Sequence, residues 1–501
     1  MKKASIILML TALVFAVMVL GASAQATHDT LTIAISAEPP TLNPYDASTD
    51  PTFQVSEPLF ETLLVAEDGE YKPFLAESYE IVDDLTIHFV LRDDVYFHNG
   101  EKMTADDVVF SLCYAAQSNF TNTLFGAIDV ENTKALDERT VEVKLQYPYA
   151  PLMEAIACYR GAIMSKKAYE EMGPEAFGRA PVGTGPMKFD HWYDGDRFEM
   201  SYFEQYWGEK PAYDKIVYRV ILEGSSRTIE LESGGVDIIF DAPVADWSRI
   251  EDNPNLKLNS GQSMSMVYLC FNNSMELYGN ENIRKAIAYA INVPAVARTA
   301  YQGTAEAAQG FMAKSIPGWK QEGPWEYNPD KSKEMLAEMG YTEANPLVVK
   351  FVTFQQQYYN ACIEIIQSML SEVGIQSSIE MVDLATFTSM NNSGELPMTV
   401  MANGASIPDP ANALIAWPLS RTISLRHNDQ HIQDLLDAGV QTYDMAERAE
   451  IYGELQDYLF EKLYLLPLAY PMKAYACNAN IQNFDYVASG IPDLSKIEFV
   501  K

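Results

Sequence analysis

Basic residues are scarce in this chain. Lys and Arg together number 35 against 69 Asp and Glu, a formal net charge of −34 over 501 residues. Such a chain repels phosphate backbones and anionic membrane surfaces, which excludes a nucleic-acid binder. The acidity itself reads as a well-solvated surface. Cysteine is sparse too: Cys113, Cys158, Cys270, Cys362 and Cys477 are widely spaced and form no C-x-x-C. Zinc ribbons and thioredoxin-type sites are thereby excluded. An oxidising compartment permits one disulfide; buried free thiols are the other reading, and Cys113 and Cys362 each sit in an apolar stripe. Enzyme signatures are missing as well. The chain has no G-x-S-x-G elbow, no H-E-x-x-H, no Walker A loop and no G-x-G-x-x-G. Gly183-Thr-Gly185-Pro186 has only two of the required glycines, and Pro186 would break a helix starting there, so it reads as a tight backbone crossing. There are six histidines. His427 and His431, four apart, could share a helix face and ligate a transition metal; two solvated histidines at a helix start are the plainer reading. The adjacent pairs Asp83-Asp84, Asp93-Asp94 and Asp106-Asp107 point to opposite faces of a strand or cap helices, and do not by themselves make a catalytic dyad.

What is present is apolar and aromatic. Hydrophobic residues make up 48% and aromatics 11%, enough for large cores, and the length suggests about three domain-sized units. Lys2 and Lys3 precede an uncharged run from Ala4 to Gly21, then Ala22-Ser23-Ala24-Gln25-Ala26. This reads as a secretory signal over residues 1–26, cleaved after Ala24 or Ala26; an uncleaved anchor is the alternative. The first cysteine is Cys113, so no N-terminal cysteine can carry a lipid. A soluble exported protein is expected.

Strand and helix patterns alternate along the rest. Leu31, Ile33 and Ile35 alternate as a strand, as do Ile87, Phe89 and Leu91. Thr104 with Asp106 and Asp107 predicts a capped helix start. Ile283, Ala286, Ile287 and Ala290 fall at helical spacing, and a further helix is expected to start at Pro294. Cys362, Ile365, Ile366, Met369, Leu370 and Val373 form an amphipathic helix ending at Gly374. Ile451, Leu455, Leu459 and Leu463 form another. Interleaved strands and helices predict α/β lobes. Aromatics and polar groups could line a ligand pocket, although each aromatic taken singly is more often core.

These residues form a pattern. Glu38-Pro-Pro-Thr-Leu42-Asn-Pro44, Glu57-Pro-Leu-Phe60, Leu91-Arg92-Asp-Asp-Val95-Tyr-Phe97-His98-Asn-Gly100, Thr104-Ala-Asp-Asp107-Val108-Val-Phe110-Ser111, Pro181-Val-Gly183-Thr-Gly185-Pro186, Gly234-Gly-Val-Asp237 and Ile283-Arg284-Lys-Ala286-Ile-Ala-Tyr-Ala290 occur in order. The chain resembles the extracellular solute-binding proteins of bacterial ABC importers, in the peptide/nickel class called family 5. The resemblance implies a two-lobed periplasmic-binding-protein fold of the class II type, with an extra subdomain in the larger lobe. The large lobe is expected over residues 27–268 plus 476–501, with the subdomain at 79–182, and the small lobe over 269–475. Hinge crossings are then expected near Cys270-Phe271-Asn272 and near Ala476. The resemblance also implies a periplasmic, non-enzymatic, monomeric protein that needs no cofactor and no metal. It would take a small-molecule or short-peptide ligand and pass it to an ABC permease in the inner membrane; presentation to a chemosensor is the other use of such a fold.

The pocket departs from the peptide pattern. Peptide binders of the family hold the ligand's ammonium with an aspartate four residues before a proline. Here that position, before Pro410, is Ser406, and the family's aromatic three residues earlier is Asn403. A serine can bond an ammonium but cannot neutralise it. Asp409 could substitute, or could cap the loop ahead of Pro410. The resemblance further points to Ala37 and Glu38 in the opening loop, and to Tyr358, preceded by Gln355, Gln356 and Gln357. Trp417 could stack on a ligand or lie in the core, and Arg421 and Arg426 are charged candidates or solvated surface. An oligosaccharide, another polar metabolite or a metal chelate therefore stands beside peptides as a ligand class.

Overall fold

The computed structural model describes residues 28–500 except 68, 416 and 420–423. The expected secretory signal and Arg421 lie outside the described residues.

One mixed sheet of twelve strands runs through the molecule. Its strands are β1 (His28–Ile35), β2 (Met187–Tyr193), β3 (Arg197–Tyr202), β4 (Tyr213–Val220), β5 (Ile238–Ile239), β6 (Leu256–Gln262), β7 (Ser265–Phe271), β8 (Ala305–Ala307), β9 (Val348–Thr353), β10 (Gln376–Met381), β11 (Met398–Gly404) and β12 (Leu465–Asn478). The order is β10-β9-β11-β7-β12-β5-β1-β4-β3-β2, with β6 and β8 also on β12. Strand β1 is parallel to β4 and β5, and β9 is parallel to β10 and β11. Leu31, Ile33, Ala34 and Ile35 of β1 are all buried, as expected for a strand covered on both faces.

The long strand β12 links the two halves of this sheet. Its first part pairs with β7 and β8, and its second part pairs with β5 and β6. The buried core changes along the way. Residues 31–240 and 475–499 supply nearly all of one cluster, while two others draw on residues 266–470. The change falls between Gln262 and Met266 on one chain segment and between Tyr470 and Ala474 on the other. That is a few residues before the Cys270 and Ala476 singled out from the sequence. Ser263 sits at this point, its N–H and Oγ–H both donating to the Pro471 carbonyl at 3.1 and 3.0 Å.

A four-stranded sheet, Ala76–Asp83, Thr86–Leu91, Thr140–Lys144 and Lys134–Ala135 in spatial order, packs into the first core. The helices that matter below are α1 (Asp50–Ser56), α2 (Ala105–Gln117), α3 (Pro151–Ala157), α4 (Glu281–Tyr289), α5 (Val293–Ala300), α6 (Gln357–Glu372), α7 (Pro410–Ala413), α8 (Gln430–Gln441) and α9 (Met445–Lys462). Helix α2 opens with the cap expected of Thr104: its N–H and Oγ–H both donate to Asp107 Oδ2, at 3.0 and 2.8 Å. Gly374, at φ 85°, follows α6. Gly183 and Gly185 form the tight crossing, since a Cβ there would fall 1.9 and 2.4 Å from the carbonyl oxygens of Leu59 and Pro58. His98 seals it: Nδ1 accepts from Gly183 N–H, so Nε2–H donates to the Gly185 carbonyl at 2.9 Å. Burial pushes His98 down to about 4, which keeps this neutral form.

All five cysteines are free thiols. Burial pushes Cys158, Cys270 and Cys362 up to about 12, and Cys113 and Cys477 up to about 11, so none is a reactive thiolate. No helix among the described residues is long and apolar enough to cross a membrane.

Candidate ligand-binding site

The parallel strands β1 and β5 end side by side, where open α/β sheets place ligands. Ser36 follows β1 and Asp241 follows β5; Ser36 Oγ–H donates to Asp241 Oδ2 at 2.9 Å. Asp241 holds a left-handed backbone, φ 52°, a conformation a non-glycine residue keeps only when its surroundings impose it. Asp50, at the start of α1, pairs with Lys473 of β12 at 3.0 Å, and both side chains remain about half exposed, at 47% and 45%. Burial works to lower the Lys473 ammonium, but Asp50 and Asp241 outweigh it and hold it above its usual range.

Tyrosines line the same region. The rings of Tyr475 and Tyr486 lie 5.2 Å apart, and both hydroxyls are sealed from solvent with no partner among the described residues. Burial raises Tyr475, and the charges of Asp241 and Asp50 add to it. Beyond α3, Tyr159 and Arg160 lie against Phe53 of α1: the Phe53 and Tyr159 rings are 4.9 Å apart, and the Arg160 guanidinium sits 4.0 Å over Phe53. The Tyr159 hydroxyl donates to the Ser406 carbonyl at 3.0 Å, bringing the loop after β11 onto this wall. These groups gather charges of both signs and aromatic rings at the ends of the parallel strands, group types that hold polar solutes.

The residues expected from the sequence divide between this region and the structural frame. Ser406 borders the region through its main chain, while its N–H and Oγ–H donate to Asn412 Oδ1 at 2.6 and 3.3 Å. Ala37 and Glu38 follow Ser36, but the Glu38 carboxylate is engaged elsewhere, accepting from Trp192 Nε1 at 2.7 Å and Gly195 N–H at 3.0 Å. Asn403 Nδ2 donates to the Ala413 carbonyl, holding α7 against β11. Tyr358 stacks on Tyr301 at 4.7 Å with the rings nearly parallel. Gln356 caps α6, its Oε1 accepting from Tyr359 N–H at 2.9 Å.

Asp409 and Trp417 are corrections to the ligand-contact reading. Asp409 is 2% exposed; Arg448 of α9 forks onto its two oxygens at 2.8 and 3.1 Å, and Oδ1 also accepts from Ala411 N–H. With its charge paired by Arg448 and its side chain buried, it is not placed to take over an ammonium from Ser406. Trp417 is buried against Phe311, its carbonyl meeting His427 Nε2 at 2.8 Å. His427 precedes α8 and is buried, whereas His431 is on α8 and faces Glu454 at 3.9 Å, so the two imidazoles do not share a helix face. Arg426 donates to the carbonyls of Asn391 and Asn392, closing a helix end.

The sequence reading missed Asp50, Tyr159, Arg160, Asp241, Lys473, Tyr475 and Tyr486. Asp241, Lys473 and Tyr475 follow or lie on strands that only the sheet order brings together. For Arg160 no sequence signal existed.

The comparisons with known proteins agree with this geometry. The profile of "Bacterial extracellular solute-binding proteins, family 5 Middle" matches residues 70–424. Glutathione-binding protein GsiB of Escherichia coli K12 is 27% identical over 490 residues, covering 95% of each chain. The structure of HbpA2 from Haemophilus parasuis matches with a TM-score of 0.85 at 22% identity, covering 94% of this chain and 100% of that one. AgaA of A. tumefaciens R10, solved in complex with agropinic acid, matches with a TM-score of 0.74 at 28% identity, covering 94% and 99%. The family match, on a two-lobed α/β fold, defines a solute-binding protein. The chain belongs to the bacterial extracellular solute-binding proteins of family 5 and is the solute-binding component of an ABC importer.

Proposed function

We propose that the protein captures a short peptide or peptide-like solute in the periplasm, between its two lobes, and hands it to the permease of its importer without covalent chemistry. The observation that carries this reading is the likeness to GsiB along 95% of both chains, since glutathione is a peptide-like solute with an amine and two carboxylates. The region at the strand ends is consistent with it: Asp50, Asp241, Lys473 and Arg160 offer both signs of charge. Cleavage after Ala24 or Ala26 and a monomeric state belong to the same proposal. So does a hinge at Gln262–Met264 and Pro471–Met472, supported by the change of buried core there.

A non-peptide solute is the second reading. The likeness to AgaA with agropinic acid favours it, as does Ser406 where peptide binders place an aspartate. Native mass spectrometry of protein purified from its own compartment without denaturation tests the two. A ladder of adducts with amino-acid mass spacings is expected. A single defined non-peptide mass would overturn the peptide reading and identify the solute directly.

A further inference from the structure

Four arginines are buried among the described residues: Arg160, Arg227, Arg284 and Arg448. Three of them donate to carbonyl or carboxylate oxygens inside the protein, although Arg227 Nε, like Arg160 Nε, is sealed without a partner among the described residues. Arg227 donates to the carbonyls of Ile221, Leu222 and Asp241. Arg284 donates to those of Leu463, Tyr278, Gly279 and Lys462. Arg448 pairs with Asp409. Arg160 is different. It is 6% exposed, its Nε is sealed without a partner, and among the described residues its guanidinium meets no carbonyl and no carboxylate. Its neighbours are the faces of Phe53 at 4.0 Å and Tyr159 at 5.2 Å.

A guanidinium cannot shed its charge, and ring faces compensate only a small part of its lost hydration. The Tyr159 hydroxyl lies within reach of Arg160 but carries no charge, and burying a guanidinium without an anion costs several kcal/mol. The position makes sense if something from outside supplies the anion. The carboxylates of the region do not: Asp50 pairs with Lys473, and Asp241 accepts from Ser36. Tyr159 bonds Ser406 directly beside Arg160, so an anion here would sit under the loop that follows β11.

We propose that Arg160 is the solute's anion anchor: a carboxylate of the bound solute takes the fork of the guanidinium, while Phe53 and Tyr159 flank the part of the solute next to it. This rests on the solute-capture reading and adds the charge of the group captured. It also bears on the missing aspartate at Ser406, since a solute anchored by its carboxylate depends less on an ammonium contact there.

The test uses solute-free protein, prepared by unfolding and refolding, and three probe pools: dipeptides with free carboxyl termini, the same dipeptides as C-terminal amides, and non-peptide mono- and dicarboxylic acids. Calorimetry should show the free acids binding roughly tenfold or more tighter than the amides, with the preference abolished in Arg160→Met. Binding of the third pool alone, lost in Arg160→Met, would overturn the peptide reading and leave the anchor standing. Equal binding of acids and amides, or undiminished binding by Arg160→Met, would overturn the anchor. Stability supplies a readout that needs no solute. If Arg160 awaits an external anion, Arg160→Met and Arg160→Lys unfold at or above the wild-type denaturant midpoint. If both fall clearly below it, Arg160 is structural and the proposal fails.

Discussion

Arg448 and Asp409 show how the same side chains can be read as ligand contacts or as frame. Both are 2% exposed, and their bond is forked. Removing one member of such a pair leaves a buried charge unpaired, which costs about 3–5 kcal/mol. Asp409→Asn should therefore lower the free energy of unfolding by that amount, and Asp409→Asn with Arg448→Met should recover most of it. A double-mutant cycle by denaturant unfolding measures this. A loss in Asp409→Asn confined to solute affinity, with stability unchanged, would return Asp409 to the ligand site. From the sequence, Asp409 had two readings, ligand contact and loop cap ahead of Pro410. The choice was invisible because Arg448 lies 39 residues further along the chain. Arg160 was invisible for a related reason: what marks it is the lack of an acceptor, a property of the folded interior.

Elements with local causes were the legible part. The Thr104 cap, the helix ending at Gly374 and the Gly183–Gly185 crossing follow from residues within a turn or two, and each stands where its residues implied. Contacts between distant elements were not legible, and α3 is an example with a measurable consequence. Its Glu154 is buried and faces Tyr71, Asp409 and Arg448. Burial first, and the Asp409 charge second, push it up to about 7, against the partial opposition of Tyr71 and Arg448. A carboxyl raised in this way holds its proton in the folded state after the unfolded chain has released it. Its contribution is full below the unfolded value of 4.5 and is lost as the pH rises through about 7. Burial raises Glu61 to about 7 as well, with the same sign. Glu154→Gln mimics the protonated form, so it should match wild type near about pH 5 and exceed it by roughly 1–3 kcal/mol near about pH 8. Because Glu61 remains, the pH slope should be reduced and not abolished. Denaturant midpoints at the two pH values decide it; an unchanged slope would mean that Glu154 is ionised in the fold.

At the scale of the molecule, the fold class follows from alternating strands and helices, but the state of the cleft depends on a few contacts that cross it. Among them are the hydrogen bonds of Tyr159 Oη–H to the Ser406 carbonyl at 3.0 Å, Ala150 N–H to the Val440 carbonyl at 2.8 Å, and Tyr443 Oη–H to the Asp84 carbonyl at 3.3 Å. One apolar contact is Ile407. It is fully buried in the cluster built from residues 31–240 and 475–499, although β11 just before it belongs to the other half. If the halves separate when the solute leaves, Ile407 is buried only in the closed form, and its burial contributes to closure alone. Truncating a buried isoleucine to alanine costs about 2–5 kcal/mol. In Ile407→Ala that cost should fall on the closed state, weakening the binding of mixed free-acid dipeptides by about tenfold or more. The midpoint of unfolding for solute-free protein should change little, because each half keeps its own core. Small-angle scattering should show variant and wild type equally expanded without solute, the variant needing more solute to contract. The opposite pattern, a large loss of stability with affinity intact, would place Ile407 in a permanently formed core and remove the hinge from this part of the molecule.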